Sequence, residues 1–155
     1  MAIQPIIFFA LWEVVRVCTY FNALVVIVGG PAEEISKLKK QYAGQKNIKF
    51  THYLPRSDVL ILQKQADLLV LPNTAKSDEA NFTSPIKLFE YWSSGTPVLS
   101  SKVRAIEELA EGLQLLKYFE PDNPADLALM IKKMCSQNNT TMTTNALKYV
   151  YELHC

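Results

Sequence analysis

Four short apolar runs constrain this chain most: Leu24–Val28, Ile48–Leu54, Leu68–Leu71 and Thr96–Leu99, separated by stretches with helical periodicity. Leu24–Val28 is almost purely β-branched, which suits a strand inside a parallel sheet. Parallel neighbours must be joined by a long crossover, usually a helix. The alternation therefore predicts an α/β fold, with an open, twisted, mostly parallel sheet and helices on both faces.

The connecting stretches carry their own signals. Pro5–Ala10 reads as an opening strand, and Leu11–Phe21 as a mostly buried helix. Gly29, Gly30 and Pro31 form a turn, and Ala32–Tyr42 places Ile35, Leu38 and Tyr42 inward with Lys37, Lys39 and Lys40 on the wetter side. Pro55 ends the second strand, and Ser57 or Asp58 caps a helix running to about Gln65. Asn73–Thr83 is a polar loop containing Lys76, Asp78 and Glu79 at the end of a strand, where open α/β sheets bind ligands. After Leu99 come Ser100–Arg104, then a short helix near Ile106–Glu111 and an apolar run, Leu113–Phe119. Asn123 and Pro124 start a helix with Leu127, Met130, Ile131 and Met134 inward. Ser136–Thr144 is polar and expected to be mobile, and Asn145–Leu153 forms a last helix packing back on the domain.

At 155 residues the chain makes one domain, 1–155, with residues 136–155 as a peripheral tail or helix. Its formal charge of +1 and lack of a basic block exclude a nucleic-acid binder. Cys18, Cys135 and Cys155 are odd in number and widely spaced, and with only His52 and His154 beside them no metal site is expected. Three free thiols fit a reducing cytoplasm. Glu13 and Arg16 interrupt the apolar first 28 residues, which argues against a spanning helix or a secretory signal and leaves room for peripheral attachment at the inner face of a membrane.

The most informative stretch is Ser84–Ser101, SPIKLFEYWSSGTPVLSS. Ser84 suits a helix cap and Pro85 the first turn. Gly95 suits a left-handed exit into a short strand. Lys87 and Glu90, three apart, share a helical face. Free amides at a helix start, followed by a cation and an anion, suit a ligand with a phosphate at one end and a hydroxyl-bearing ring at the other. An amphipathic helix with a solvated Lys–Glu pair has the same pattern. Gly29 and Gly30 are likewise open to two readings, a close approach to phosphates or a tight turn. They lack the three-glycine dinucleotide fingerprint, so a nicotinamide enzyme is not supported.

LVVIVGG at Leu24–Gly30, NIKFTHYL at Asn47–Leu54, ADLLVLPN at Ala66–Asn73 and SPIKLFEYWSSGTPVLSS resemble, in that order, the donor-binding C-terminal domain of GT-B glycosyltransferases of family 4, also called group 1. The resemblance spans roughly Leu24–Met134. It implies a Rossmann-like domain that binds a nucleotide sugar as donor substrate, with no other cofactor. The sugar would pass to a polysaccharide or glycolipid acceptor held by a facing N-terminal domain. By this similarity Glu90 accepts hydrogen bonds from the ribose, while amides near Ser84, Ile86 and Lys87 lie by the diphosphate or sugar. Leu54 and Pro55 lie by the base, and Gly30, beside Gly29, lines the cleft.

The departures are specific. The family often carries a second glutamate eight positions before the helical one; here that position is Phe82, with Glu79 three residues earlier. The family's opening glycine loop and its Arg/Lys pair have no counterpart between Pro5 and Phe21, where Arg16 is the sole basic residue. Either the opening residues are atypical or the chain starts partway through the domain. The isolated chain is expected to have little or no transfer activity, since it supplies one side of a cleft. Two other readings share the architecture: a non-catalytic interaction module and half of a sugar-nucleotide epimerase.

Overall fold

The computed structural model describes residues 23–76 and 86–154. The expected elements at Pro5–Ala10 and Leu11–Phe21, the Ser84–Pro85 cap, and Asp78, Glu79 and Phe82 lie outside the described residues. The elements run β1 (Val25–Val28), α1 (Ala32–Gln41), β2 (Ile48–Thr51), α2 (Arg56–Gln65), β3 (Leu69–Leu71), α3 (Ile86–Ser94), β4 (Val98–Ser101), α4 (Arg104–Ala110), β5 (Lys117–Phe119), α5 (Pro124–Ser136) and α6 (Thr140–His154). Every strand pairing is parallel. β1 pairs with β2, Val25 opposite Ile48, and a three-stranded sheet runs β3-β4-β5, with Leu71 opposite Ser100 and Ser101 opposite Phe119. Helices cover both faces and the sheets stay open, so the architecture is the Rossmann-like one expected.

Apolar side chains gather into three clusters. Ile27, Ile35, Ile48 and Phe50 join the first sheet to α1. Leu99, Phe119, Leu127, Ile131, Met134 and Met142 lie on one face of the second sheet, under α5 and the start of α6. On its other face Leu71, Val98, Val103 and Ile106 pack with Leu88 and Trp92 of α3 and Ala146 of α6. Trp92 is fully buried, with the rings of Phe89 and Tyr149 each 5.6 Å away and nearly perpendicular to it. Edge-to-face rings at that spacing add about 0.5–1.5 kcal/mol each beyond burial.

Several boundaries differ from those expected, for identifiable reasons. β2 stops at Thr51, three residues before Leu54. α2 starts at Arg56 with Pro55 at its cap position, so neither Ser57 nor Asp58 caps it; their side chains bond each other at 3.2 Å. β4 is Val98–Ser101, so the strand expected over Thr96–Leu99 begins and ends two residues later. Ser100 and Ser101 are fully buried, and their hydroxyls donate to the Leu71 carbonyl at 3.4 Å. Thr96 is instead anchored outside the strand, its hydroxyl donating to the Gln63 carbonyl at 2.6 Å. α4 begins at Arg104, two residues before Ile106.

The C-terminal segment shows the largest change. Thr140–Thr144, expected to be mobile, is the first turn of a 15-residue helix. Asn138 Oδ1 accepts from the Thr140 amide at 2.8 Å, and Asn139 Nδ2 donates to the Met134 carbonyl at 2.8 Å, so the two asparagines tie the end of α5 to the start of α6. The helix then packs along α3 and contributes Met142 and Ala146 to the core. Gly95 has the left-handed conformation expected of it, φ 76°, where α3 turns toward β4.

Removing the Trp92 ring leaves a cavity at the α3–α6 contact. Trp92→Ala should destabilise the fold by about 3–5 kcal/mol, measured as a fall in the urea unfolding midpoint.

Candidate functional site

A helix that follows a parallel strand starts at that strand's C-terminal end, so the β2–α2 and β3–α3 connections both open on the same kind of edge. The structure joins them through one ion pair. Arg56, the first residue of α2, places a guanidinium nitrogen 3.3 Å from Glu90 Oε1 on α3. The Glu90 side chain keeps 32% of its surface and the Arg56 side chain 79%. Such an exposed pair contributes about 0–1 kcal/mol to stability. The carboxylate is therefore at an accessible surface, outside the hydrophobic interface that holds the rest of α3.

The residues beside Glu90 explain that position. Leu88 and Trp92, four apart, bury the inner face of α3, which turns residue 90 away from the core and toward α2. Lys87 stands one turn before Glu90. Burial of its surroundings pushes the ammonium pKa down, and the Glu90 charge opposes that shift without cancelling it. Lys87 remains an exposed residue, so the desolvation is partial. Tyr91, half-buried, has its phenol pushed up by burial first and by Glu90 second.

The remaining candidates are placed as follows. Leu54 is half-buried and Pro55 exposed, immediately before Arg56, so both belong to the same corner as Glu90. Ile86 is exposed at the described start of α3. Gly29 and Gly30 end β1 in the other sheet with φ of 90° and 136°. A Cβ on Gly30 would stand 3.1 Å from Ile35 Cδ1, so the turn between β1 and α1 itself requires this glycine. Ser84 is outside the described residues.

Arg56 escaped the sequence reading. It is 34 positions from Glu90, and no local periodicity couples residues at that separation. A cavity of about 370 Å³ lies elsewhere, between the end of α1 and β2, lined by Lys39, Tyr42, Gln45, Lys49 and Phe50 among others, and it includes none of the candidate residues. Among the described residues no group of three or more His, Cys, Asp or Glu is placed to hold a metal, and no helix is long and apolar enough to cross a membrane.

Comparison with known proteins returns a family model, Glycosyl transferases group 1, over residues 7–137. Solved structures with the same fold include HepE from Anabaena in complex with UDP and glucose, at TM-score 0.76 and 18% identity, covering 97% of this chain and 42% of that one. Sucrose-phosphate synthase from Thermosynechococcus elongatus matches at TM-score 0.74 and 16% identity, covering 93% of this chain and 38% of that one. The C-terminal domain of a group 1 family protein, LpcC, from Francisella tularensis matches at 0.66 and 15%, covering 92% and 75%. A search of curated proteins gave no match. The chain thus spans about two fifths of HepE and of the synthase.

Lys87 also sets a pH dependence. Because its pKa is lowered on folding, the folded state binds fewer protons than the unfolded state between the folded value and 10.5. Its unfavourable contribution is complete below the folded value and fades as pH rises toward 10.5. Lys87→Met should therefore raise stability at neutral pH and lose that advantage in alkali, read by chemical unfolding across a pH series.

Proposed function

The chain belongs to the group 1 glycosyl transferases, the family whose model spans residues 7–137, and we propose that it is the donor-binding side of such an enzyme. The donor is a nucleotide sugar. The observation that carries this reading is the Glu90 carboxylate, accessible on α3 and facing the corner made by Leu54, Pro55 and Arg56.

A carboxylate offers several lone pairs and suits the adjacent hydroxyls of a ribose. Arg56 stands 3.3 Å from Oε1, and the exposed carboxylate retains lone pairs to accept from a ligand. The guanidinium orients Glu90, so the acceptor atoms stand ready before the donor arrives. Leu54 and Pro55, immediately before Arg56, offer apolar surface for a nucleobase. The amides of Ile86 and Lys87, at the described start of α3, together with the Lys87 cation, suit the diphosphate. Oriented amides are effective there because negative charge grows on the departing diphosphate during transfer. UDP and UDP-glucose, the ligands in HepE complexes, are the first donors to try.

Transfer also needs an acceptor held at fixed geometry against the donor. In this reading an acceptor domain faces the Glu90 edge, whether in the same polypeptide or in a partner. The acceptor is a growing polysaccharide or a glycolipid, and the reaction takes place in the cytoplasm, at the inner face of the membrane where the acceptor is lipid-linked. A second reading, a non-catalytic interaction module, draws on the ion pair itself, since Arg56 already neutralises Glu90 without any ligand.

Calorimetric titration with UDP-glucose and other sugar nucleotides separates the two. Saturable heat is expected, and Glu90→Gln should weaken binding about 10- to 100-fold, the equivalent of charge-assisted hydrogen bonds, with the unfolding midpoint nearly unchanged. A chain that is silent toward every donor is not the donor side of an enzyme.

A further inference from the structure

The three strands of the second sheet end side by side, and the segments leaving them are tied together by side chains. The Asn73 amide donates to Ser101 Oγ at the end of β4. The Thr74 hydroxyl points its proton at the Asp122 carboxylate, 2.8 Å from Oδ1 and 3.1 Å from Oδ2, and the Ala75 amide donates to Oδ2 at 3.1 Å. The Lys76 amide in turn donates to Thr74 Oγ1 at 3.1 Å. Four consecutive residues after β3 are thus engaged by groups from the ends of β4 and β5 or by each other.

Asp122 is itself held firmly. It has φ 58°, a left-handed backbone conformation uncommon outside glycine. On its two sides the Glu120 amide donates to Asp126 Oδ2 at 2.7 Å, and the Asp126 amide donates to Asn123 Oδ1 at 3.1 Å. The turn that delivers the carboxylate is therefore anchored to the first turn of α5. Ala75 and Lys76 are exposed, so water would satisfy their amides without any help. What the carboxylate adds is direction: it sets the course on which the chain leaves β3. Residues 73–76 lie at the C-terminal end of β3, the edge at which open α/β sheets bind their ligands.

We propose that Asp122 is a positioning residue for the donor site, its carboxylate holding the Thr74–Lys76 turn so that the edge of the sheet is shaped before the nucleotide sugar binds. The inference rests on the donor-binding reading above. It adds a residue about 30 positions beyond the Glu90 helix, with no ligand contact of its own.

The test uses the full chain and three substitutions. Asp122→Gly keeps the positive φ without strain and removes the carboxylate. Asp122→Asn tolerates the same backbone conformation and keeps one acceptor oxygen. Thr74→Val removes the hydroxyl from the other end of the bond with little change in shape. Amide hydrogen exchange at Ala75 and Lys76 and UDP-glucose affinity are measured for each, beside the thermal midpoint. In Asp122→Gly, exchange should quicken and affinity should fall about five- to tenfold, the loss of roughly one net hydrogen bond, with partial recovery in Asp122→Asn. Thr74→Val should move both readouts in the same direction, and it serves where Asp122→Gly fails to fold. Unchanged exchange, or quickened exchange with wild-type affinity, overturns this inference alone. Wild-type protein that binds no sugar nucleotide overturns the donor-binding reading and this inference with it.

Discussion

The burial of Trp92 governs the direction in which α3 presents Lys87 and Glu90. Its ring is enclosed by Phe89 of its own helix and Tyr149 of α6, and Leu88 is buried one turn earlier. A helix held at those positions cannot rotate about its axis without exposing a large apolar area. At about 25 cal/mol per Å² for surface removed from water, that resistance amounts to several kcal/mol. The outward direction of Lys87 and Glu90 is a consequence of this packing. The C-terminal helix therefore has a role in the site although it carries none of its residues, because Tyr149, Ala146 and Leu147 press on the face of α3 and its exit at Gly95.

Around that fixed helix the electrostatics are modest and the geometry is specific. The Arg56–Glu90 contact adds little to stability, yet it joins the start of α2 to α3 and orients a carboxylate at an accessible surface. Lys87 is pushed the other way by partial burial. α3 thus carries a partly desolvated cation one turn before a carboxylate that is paired with the neighbouring helix. The Thr74–Asp122 network uses a different means, with one carboxylate accepting from the buried Thr74 hydroxyl and from the exposed Ala75 amide.

Much of this was readable from residue order, for reasons that are local. The run at Val25–Val28 followed by two glycines, the inward Ile35 and Leu38 of α1, and the Asn123–Pro124 start of α5 all depend on periods and caps within a few residues. Gly95 was readable for the same reason, since leaving a helix in a left-handed conformation favours glycine regardless of what lies nearby. Errors arose where a distant partner overrode a local preference. The expected strand stops at Leu99, and Ser100 and Ser101 extend it because their buried hydroxyls meet the Leu71 carbonyl. Thr140–Thr144 looks mobile until Asn138 and Asn139 tie the turn and α3 offers an apolar face.

Family and fold class followed from the sequence by itself: alternating apolar runs and amphipathic helices leave a parallel open sheet as the economical solution, and the Ser84–Ser101 stretch points to the group 1 glycosyl transferases. Only the tertiary structure decided that Arg56 meets Glu90, that Asp122 fastens the chain leaving β3, and that the last helix steadies the third. These contacts join residues 34 or more positions apart, and separations of that size leave no periodic trace in a single chain. They exist because packing of the apolar faces brings the strand ends together, and the polar residues found there then pair.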